Sequence, residues 1–259
     1  MKRSLRTLLP AALIPCAALA AGQPTHDDLR YSDAYSRSTM DLWLPESDKP
    51  TPLVVVFHGG GFKGGSKDKN MPFRHQLLPL VDQGIAVASI GYPLLKDVPD
   101  GQTANPFTQA EPYFACMREA ANSIRFLQEH AEDYNLDPER FVVGGSSAGA
   151  VIAEYITYTE KLGVSFCLAI QQPYAVEIVT PHIKQGDPPL MLFTKSGAND
   201  MTHHPNYAVA VKKHCDEVGV TCWLYGTNNN ALPELPGGQD NFIPHAMEII
   251  RAVWAGEVE

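Results

Sequence analysis

The sequence predicts an α/β fold: a mostly parallel central sheet flanked by helices on both faces. Three observations carry that prediction. Short, unbroken apolar runs at residues 53–57, 141–143 and 166–170 have the composition of strands buried on both faces. Segments with helical apolar spacing separate such runs, the rhythm of a parallel sheet with crossover helices. Glycine- and proline-rich stretches follow the strands abruptly, as loops do at a sheet edge. The chain has 259 residues with no internal repeat and no interdomain linker, so one domain is expected.

The first twenty residues stand apart from that domain. Lys2, Arg3 and Arg6 precede an uncharged stretch that ends in Ala18-Leu19-Ala20, the pattern of a secretory signal peptide cut after Ala20 or Ala21. A membrane anchor fits less well, because the apolar run is short and broken by Pro10 and Pro15. The folded domain is therefore expected at 21–259, secreted or periplasmic, with no membrane anchor.

Residues 21–38 are polar and read as a loosely held arm, and residues 39–45 alternate up to Pro45, which suits an edge strand. Residues 53–57 form a buried strand that runs into His58-Gly59-Gly60-Gly61-Phe62-Lys63-Gly64-Gly65, a loop by composition. A helix over 71–83 and a strand over 85–90 come next, then a long loop from 93 to 112 rich in Pro, Asp, Gly and Asn. Cys116, Ala120, Ile124 and Leu127 set a helical stripe within 113–135. Asp137-Pro138-Glu139 turns into the central strand, and Val151, Ile152, Tyr155 and Ile156 begin a helix beyond it. Strands are expected at 166–170, 190–193 and 221–225, with helices at 204–218 and 242–254.

Formal charge is −9, and loss of the leader's three cations takes it to −12. No basic stripe is present, so nucleic acid and anionic membranes are poor partners. Cys116, Cys167, Cys215 and Cys222 follow the leader. Export permits disulfides, and Cys215–Cys222 is the plausible bridge; buried free thiols are the equal alternative. None has zinc-ligand spacing.

The chemistry centres on Gly145-Ser146-Ser147-Ala148-Gly149. This is G-x-S-x-G between strand and helix, a strained turn that lifts a serine hydroxyl above the sheet. The frame selects Ser147, since with Ser146 the closing glycine would fall on Ala148. A serine needs a base and an acid to orient that base. Asp200 lies in the loop after the strand at 190–193, and His245 lies beyond the last strand. Their order after Ser147 suits this architecture. Asp200 has the competing role of capping the next helix, and Asp240 is the alternative acid. His203 and His204 rival His245 through their nearness to Asp200. The oxyanion donors are expected from the Ala148 amide and from Gly59 and Gly60 in the glycine loop. His58 is expected to support that loop. Phe62, Tyr92, Phe107, Tyr174 and Phe242 lie near the expected mouth, where ordinary packing would also explain them.

His58-Gly59-Gly60-Gly61, Gly145-Ser146-Ser147-Ala148-Gly149, Gly197-Ala198-Asn199-Asp200 and the late His245 resemble an α/β-hydrolase of the carboxylesterase and lipase type. The chain is similar to hormone-sensitive-lipase-like esterases and to small xylan- or feruloyl-esterase-like relatives. The resemblance implies ester hydrolysis through an acyl-enzyme, with no cofactor or metal, on small-molecule or polysaccharide-linked esters. Ser146 stands where such relatives often carry Asp, and Gly91-Tyr92-Pro93 stands where Asp-Tyr-Arg is common. The segments that hold a lid in capped members are short here, so an open site without a cap is expected. Two other functions share the scaffold: a prolyl-oligopeptidase-type peptidase and a non-catalytic binding protein.

Overall fold

Alternation along the strands explains both layers of the core. In the strand Thr51–Phe57, Leu53, Val55 and Phe57 point to one face, and Val54 and Val56 to the other. Successive side chains of a strand leave opposite faces, so a continuous apolar run needs cover on both. The computed structural model describes residues 22–69, 71–105 and 108–258. The expected leader and its cleavage point lie outside them, as does Phe107.

Among the described residues, eight strands form one sheet: β1 (His26–Arg30), β2 (Thr39–Trp43), β3 (Thr51–Phe57), β4 (Ala86–Ile90), β5 (Leu136–Ser146), β6 (Phe166–Ile170), β7 (Leu190–Phe193) and β8 (Cys222–Tyr225). Their spatial order is β1-β2-β4-β3-β5-β6-β7-β8. The β1/β2 and β2/β4 pairs are antiparallel, and the others are parallel. The helices are α1 (Arg74–Leu77), α2 (Glu111–Glu129), α3 (Ala148–Glu154), α4 (Val176–Val179), α5 (Pro205–Val218) and α6 (Phe242–Trp254). Side chains of α2, α3 and α5 share one core with Leu53 and Val55, while α1 and α6 pack with Val54 and Val56 on the other face. Between β6 and β7 stand only the four-residue α4 and a single 3-10 turn. No cap is built there.

The N-terminal arm is a correction. Residues 26–30 form β1 and cover β2, so β2 is an inner strand. Charge pins β1 in place: the Lys67 ammonium lies 2.9 Å from Asp28 and 2.5 Å from buried Asp41, and the Asp28 N–H donates to Asp41 at 3.1 Å. A polar segment with no apolar stripe gives no hint of such an anchor in sequence. The helix expected over 71–83 is α1 followed by a 3-10 segment, Leu78–Gln83. Cys116, Cys167, Cys215 and Cys222 are buried free thiols among the described residues, so the Cys215–Cys222 bridge is not formed.

Registry sets the functional edge. Phe57 pairs with Gly145, Ser146 with Ile170, and Ile170 with Phe193. The residues that follow these four strands therefore emerge side by side at their C-terminal ends, where open α/β sheets place ligands.

Beneath that edge, α3 ends in fully buried Glu154, whose Oε2 accepts from Gln172 Nε2 at 3.1 Å. Glu154 Oε1 and Gln172 Oε1 have no hydrogen-bond partner among the described residues. Burial pushes this carboxyl up to about 8. The native state then keeps a proton that the unfolded chain loses above its ordinary carboxylate pKa. Stability is complete below that ordinary value and falls as pH rises to about 8. Glu154→Gln, which presents an amide in place of the acid, should flatten this slope and raise the urea midpoint at pH 8. An unchanged slope would mean that Glu154 is ionised in the native protein.

Candidate active site

Ser147 sits at the turn between β5 and α3 with φ 57° and ψ −117°, a conformation that costs a non-glycine residue on the order of 1–3 kcal/mol. The turn is held because the Ser147 N–H donates to the Ile170 carbonyl at 2.9 Å, while its own carbonyl caps Ala150 at 2.9 Å. The strain lifts the hydroxyl clear of the sheet edge.

The glycine loop meets this turn. A Cβ on Gly59 would lie 2.8 Å from the Ser146 carbonyl oxygen and 3.5 Å from Ser147 Cβ, so only glycine allows the approach. His58 braces the loop from below. Its Nδ1 donates to the Gly59 carbonyl at 2.7 Å, and its ring stacks on Tyr92 at 4.2 Å. Tyr92 in turn donates to the His58 carbonyl at 2.7 Å. Burial pushes the His58 imidazole down to about 4, which keeps it neutral. Gly59 and Gly60 line the same cleft as Ser147. Ala148 opens α3, so its N–H has no acceptor within the helix.

The histidine beside Ser147 is where the structure departs from expectation. His203 Nε2 lies 2.8 Å from Ser147 Oγ, and His203 Nδ1 lies 3.2 Å from Asp200 Oδ2. Asp200 is therefore brought to the site, with His203 as its partner. His245 is not brought there. Its Nε2 faces the Tyr225 hydroxyl at 3.1 Å and its Nδ1 faces Glu248 at 3.4 Å, on the first turn of α6. The reason is local. Asp200 Oδ1 accepts the N–H groups of Thr202 and His203, both at 2.9 Å, which folds the loop back and sets the imidazole of His203 against the same carboxylate. The Thr202 carbonyl then accepts the Tyr174 N–H at 3.1 Å, tying the loop to the segment after β6, next to β5. The Asp200-x-x-His203 spacing was the available signal, since an Asx turn brings such positions together.

The remaining rivals have other places. His204, not Asp200, caps α5, accepting the Asn206 N–H at 3.1 Å. Asp240 lies exposed in the turn before α6. Hydrogen bonds from Ser196, the two amides and His203 hold the Asp200 carboxyl well below the usual carboxylate range.

Ser147 opens on two spaces. One is a cleft of about 590 Å³ whose walls include Phe73, His75, Gln171, Lys195 and Gln239. The other is an apolar pocket of about 220 Å³ walled by Phe62, Tyr113, Met117, Val151, Tyr174 and Ile178. Of the aromatic residues near the mouth, Phe62 and Tyr174 line this pocket, while Tyr92 and Phe242 are wholly buried.

A family model described as BD-FAE matches residues 40–172, just over half of the chain. The chain belongs to the BD-FAE family. The BD-FAE match takes in the glycine loop and Ser147 but ends before Asp200, His203 and His245. Over 142 residues the chain is 30% identical to esterase LipI of Mycobacterium tuberculosis, covering 52% of this chain and 40% of LipI. The match thus spans well under two thirds of that relative. Among solved structures, apo Thermogutta terrifontis esterase 2 superposes with a TM-score of 0.64 at 17% identity, covering 88% of this chain and 92% of that one. The bifunctional GH43-CE protein of Bacteroides eggerthii gives a TM-score of 0.70 at 15% identity, over 88% of this chain and 38% of that one. At such identities the likeness is one of fold, and the fold is that of the α/β-hydrolases.

Proposed function

We propose that this BD-FAE member is a serine hydrolase of carboxylic esters that works through an acyl-enzyme. The observation that carries the reading is the 2.8 Å contact between Ser147 Oγ and His203 Nε2, with Asp200 behind the ring. Ser147 Oγ attacks the acyl carbon as His203 Nε2 takes its proton. Asp200 holds the Nδ1–H tautomer and stabilises the imidazolium. The N–H groups of Ala148 and of the Gly59-Gly60 loop receive the developing oxyanion. His203 then protonates the departing alkoxide, and a water activated by the same imidazole releases the acid.

Shape supports small substrates. The apolar pocket of about 220 Å³ suits a short acyl or aryl group. The wider cleft, with Gln171, Lys195 and Gln239 on its walls, suits a polar alcohol such as a sugar. The basic, apolar and small-residue pattern of residues 1–20 supports action outside the cytoplasm.

Ser147→Ala should abolish hydrolysis of p-nitrophenyl acetate and labelling by a fluorophosphonate, with the circular dichroism spectrum unchanged. Turnover retained in that variant would overturn the reading. Cleavage of prolyl peptides at rates rivalling those of esters would transfer it to peptidases.

A further inference from the structure

Behind the acid lies a chain of hydrogen bonds whose proton directions are fixed by chemistry. Gln171 follows β6 in the left-handed region, with φ 55°. Its Oε1 accepts the Lys195 N–H at 2.6 Å and the Thr194 hydroxyl at 3.1 Å. A backbone N–H can only donate, so Oε1 is identified as the oxygen and Nε2 as the donor. Gln171 Nε2 donates to Ser196 Oγ at 2.8 Å. The one hydroxyl hydrogen of Ser196 is then free for Asp200 Oδ2, at 2.7 Å. That carboxylate oxygen is the same one that faces His203 Nδ1. Asn230 fixes the strand end from the other side, since its Nδ2 donates to the Thr194 and Ser196 carbonyls, both at 3.0 Å.

We infer that Ser196, aimed by Gln171, is a positioning residue that sets the basicity of the His203–Asp200 pair through its hydroxyl on Asp200 Oδ2. This deepens the ester-hydrolase reading and rests on it for its consequence in turnover. A hydrogen bond to the carboxylate draws off part of the charge that would otherwise stabilise imidazolium. The Ser196 hydroxyl therefore shares with the His203 ring the one carboxylate oxygen that faces it. It also holds the carboxylate rotamer that keeps the ring on Ser147. The other titratable groups on the two walls about Ser147 are Lys63, His75, Tyr113, Tyr174 and Lys195. Together with the neighbouring His204, they are unchanged by a substitution at Ser196.

The test is a proton NMR titration of the His203 ring in wild type, Ser196→Ala and Ser196→Thr, with the resonance assigned by its loss in His203→Gln. Ser196→Ala should raise the His203 midpoint by about half to one pH unit, and Ser196→Thr should restore it. In ester assays, Ser196→Ala should lower kcat about ten- to a hundredfold with little change in KM, and move the acidic limb of kcat/KM upward. An unmoved midpoint in Ser196→Ala, or a threonine variant no closer to wild type than the alanine, overturns the assignment. A shifted midpoint in a protein that hydrolyses no ester would sustain the role of Ser196 and remove the ester reading alone.

Discussion

His203→Ala is expected to lower kcat/KM for a short p-nitrophenyl ester by about 10⁴-fold, whereas His245→Ala leaves it within about threefold. The first figure corresponds to roughly 5.5 kcal/mol of transition-state stabilisation. His203 is the group within hydrogen-bond reach of Ser147 Oγ, and its other nitrogen meets Asp200. In the proposed mechanism, removing it deprives the serine of its base and the leaving group of its acid. His245, held by Tyr225 and Glu248 on α6, touches neither reacting group. Its loss removes a half-buried contact at the start of a helix and should appear in thermal stability. Stopped assays of both variants decide the matter. The reverse pattern, with His245 essential and His203 dispensable, would require the loop after β8 to displace the one after β7.

Gly149→Ala is expected to destabilise the fold by at least about 3 kcal/mol, a fall in Tm on the order of 6–12 °C. A Cβ at this position would lie 2.1 Å from the Phe57 carbonyl oxygen and 2.8 Å from that of His58. Both obstacles are backbone, at the end of β3 where the glycine loop begins, so no rotamer change relieves them. Helix α3 would have to move off the sheet, carrying Ser147 with it and parting it from Gly59. Activity should therefore fall even in the folded fraction. Gly64→Ala is the control, because a Cβ there meets nothing within 4 Å and the backbone is not in the left-handed region. It should stay within about 0.5 kcal/mol of wild type by urea unfolding. Equal midpoints for the two variants would show that the elbow has room that its backbone geometry denies.

The parallel strands were legible because burial on both faces leaves a mark in composition. The strands at 166–170 and 190–193 and the helix at 242–254 fall where apolar spacing puts them. The polar β1 strand was not legible, because ion pairs with Lys67 and backbone pairing with β2 hold it, and neither has a period. Pocket walls were mixed for a similar reason. Phe62 and Tyr92 are both aromatic residues in loops after strands, yet one lines the space beside Ser147 and the other packs wholly buried against His58.

By itself the sequence determined the parallel strands and three of the parts that meet at their C-terminal edge, namely the Ser147 turn, the glycine loop and Asp200. Each is marked by residue types that a local backbone shape demands. Only the tertiary structure decided which histidine meets Ser147. Chain order favoured His245, but the choice depends on how one loop folds back over a neighbouring strand. Two amides on Asp200 Oδ1 and a tie from Tyr174 to Thr202 bring His203 onto Ser147. The two amide contacts are local to the turn and the Tyr174 tie joins it to a neighbouring strand end, and none of them leaves a periodic trace along the chain.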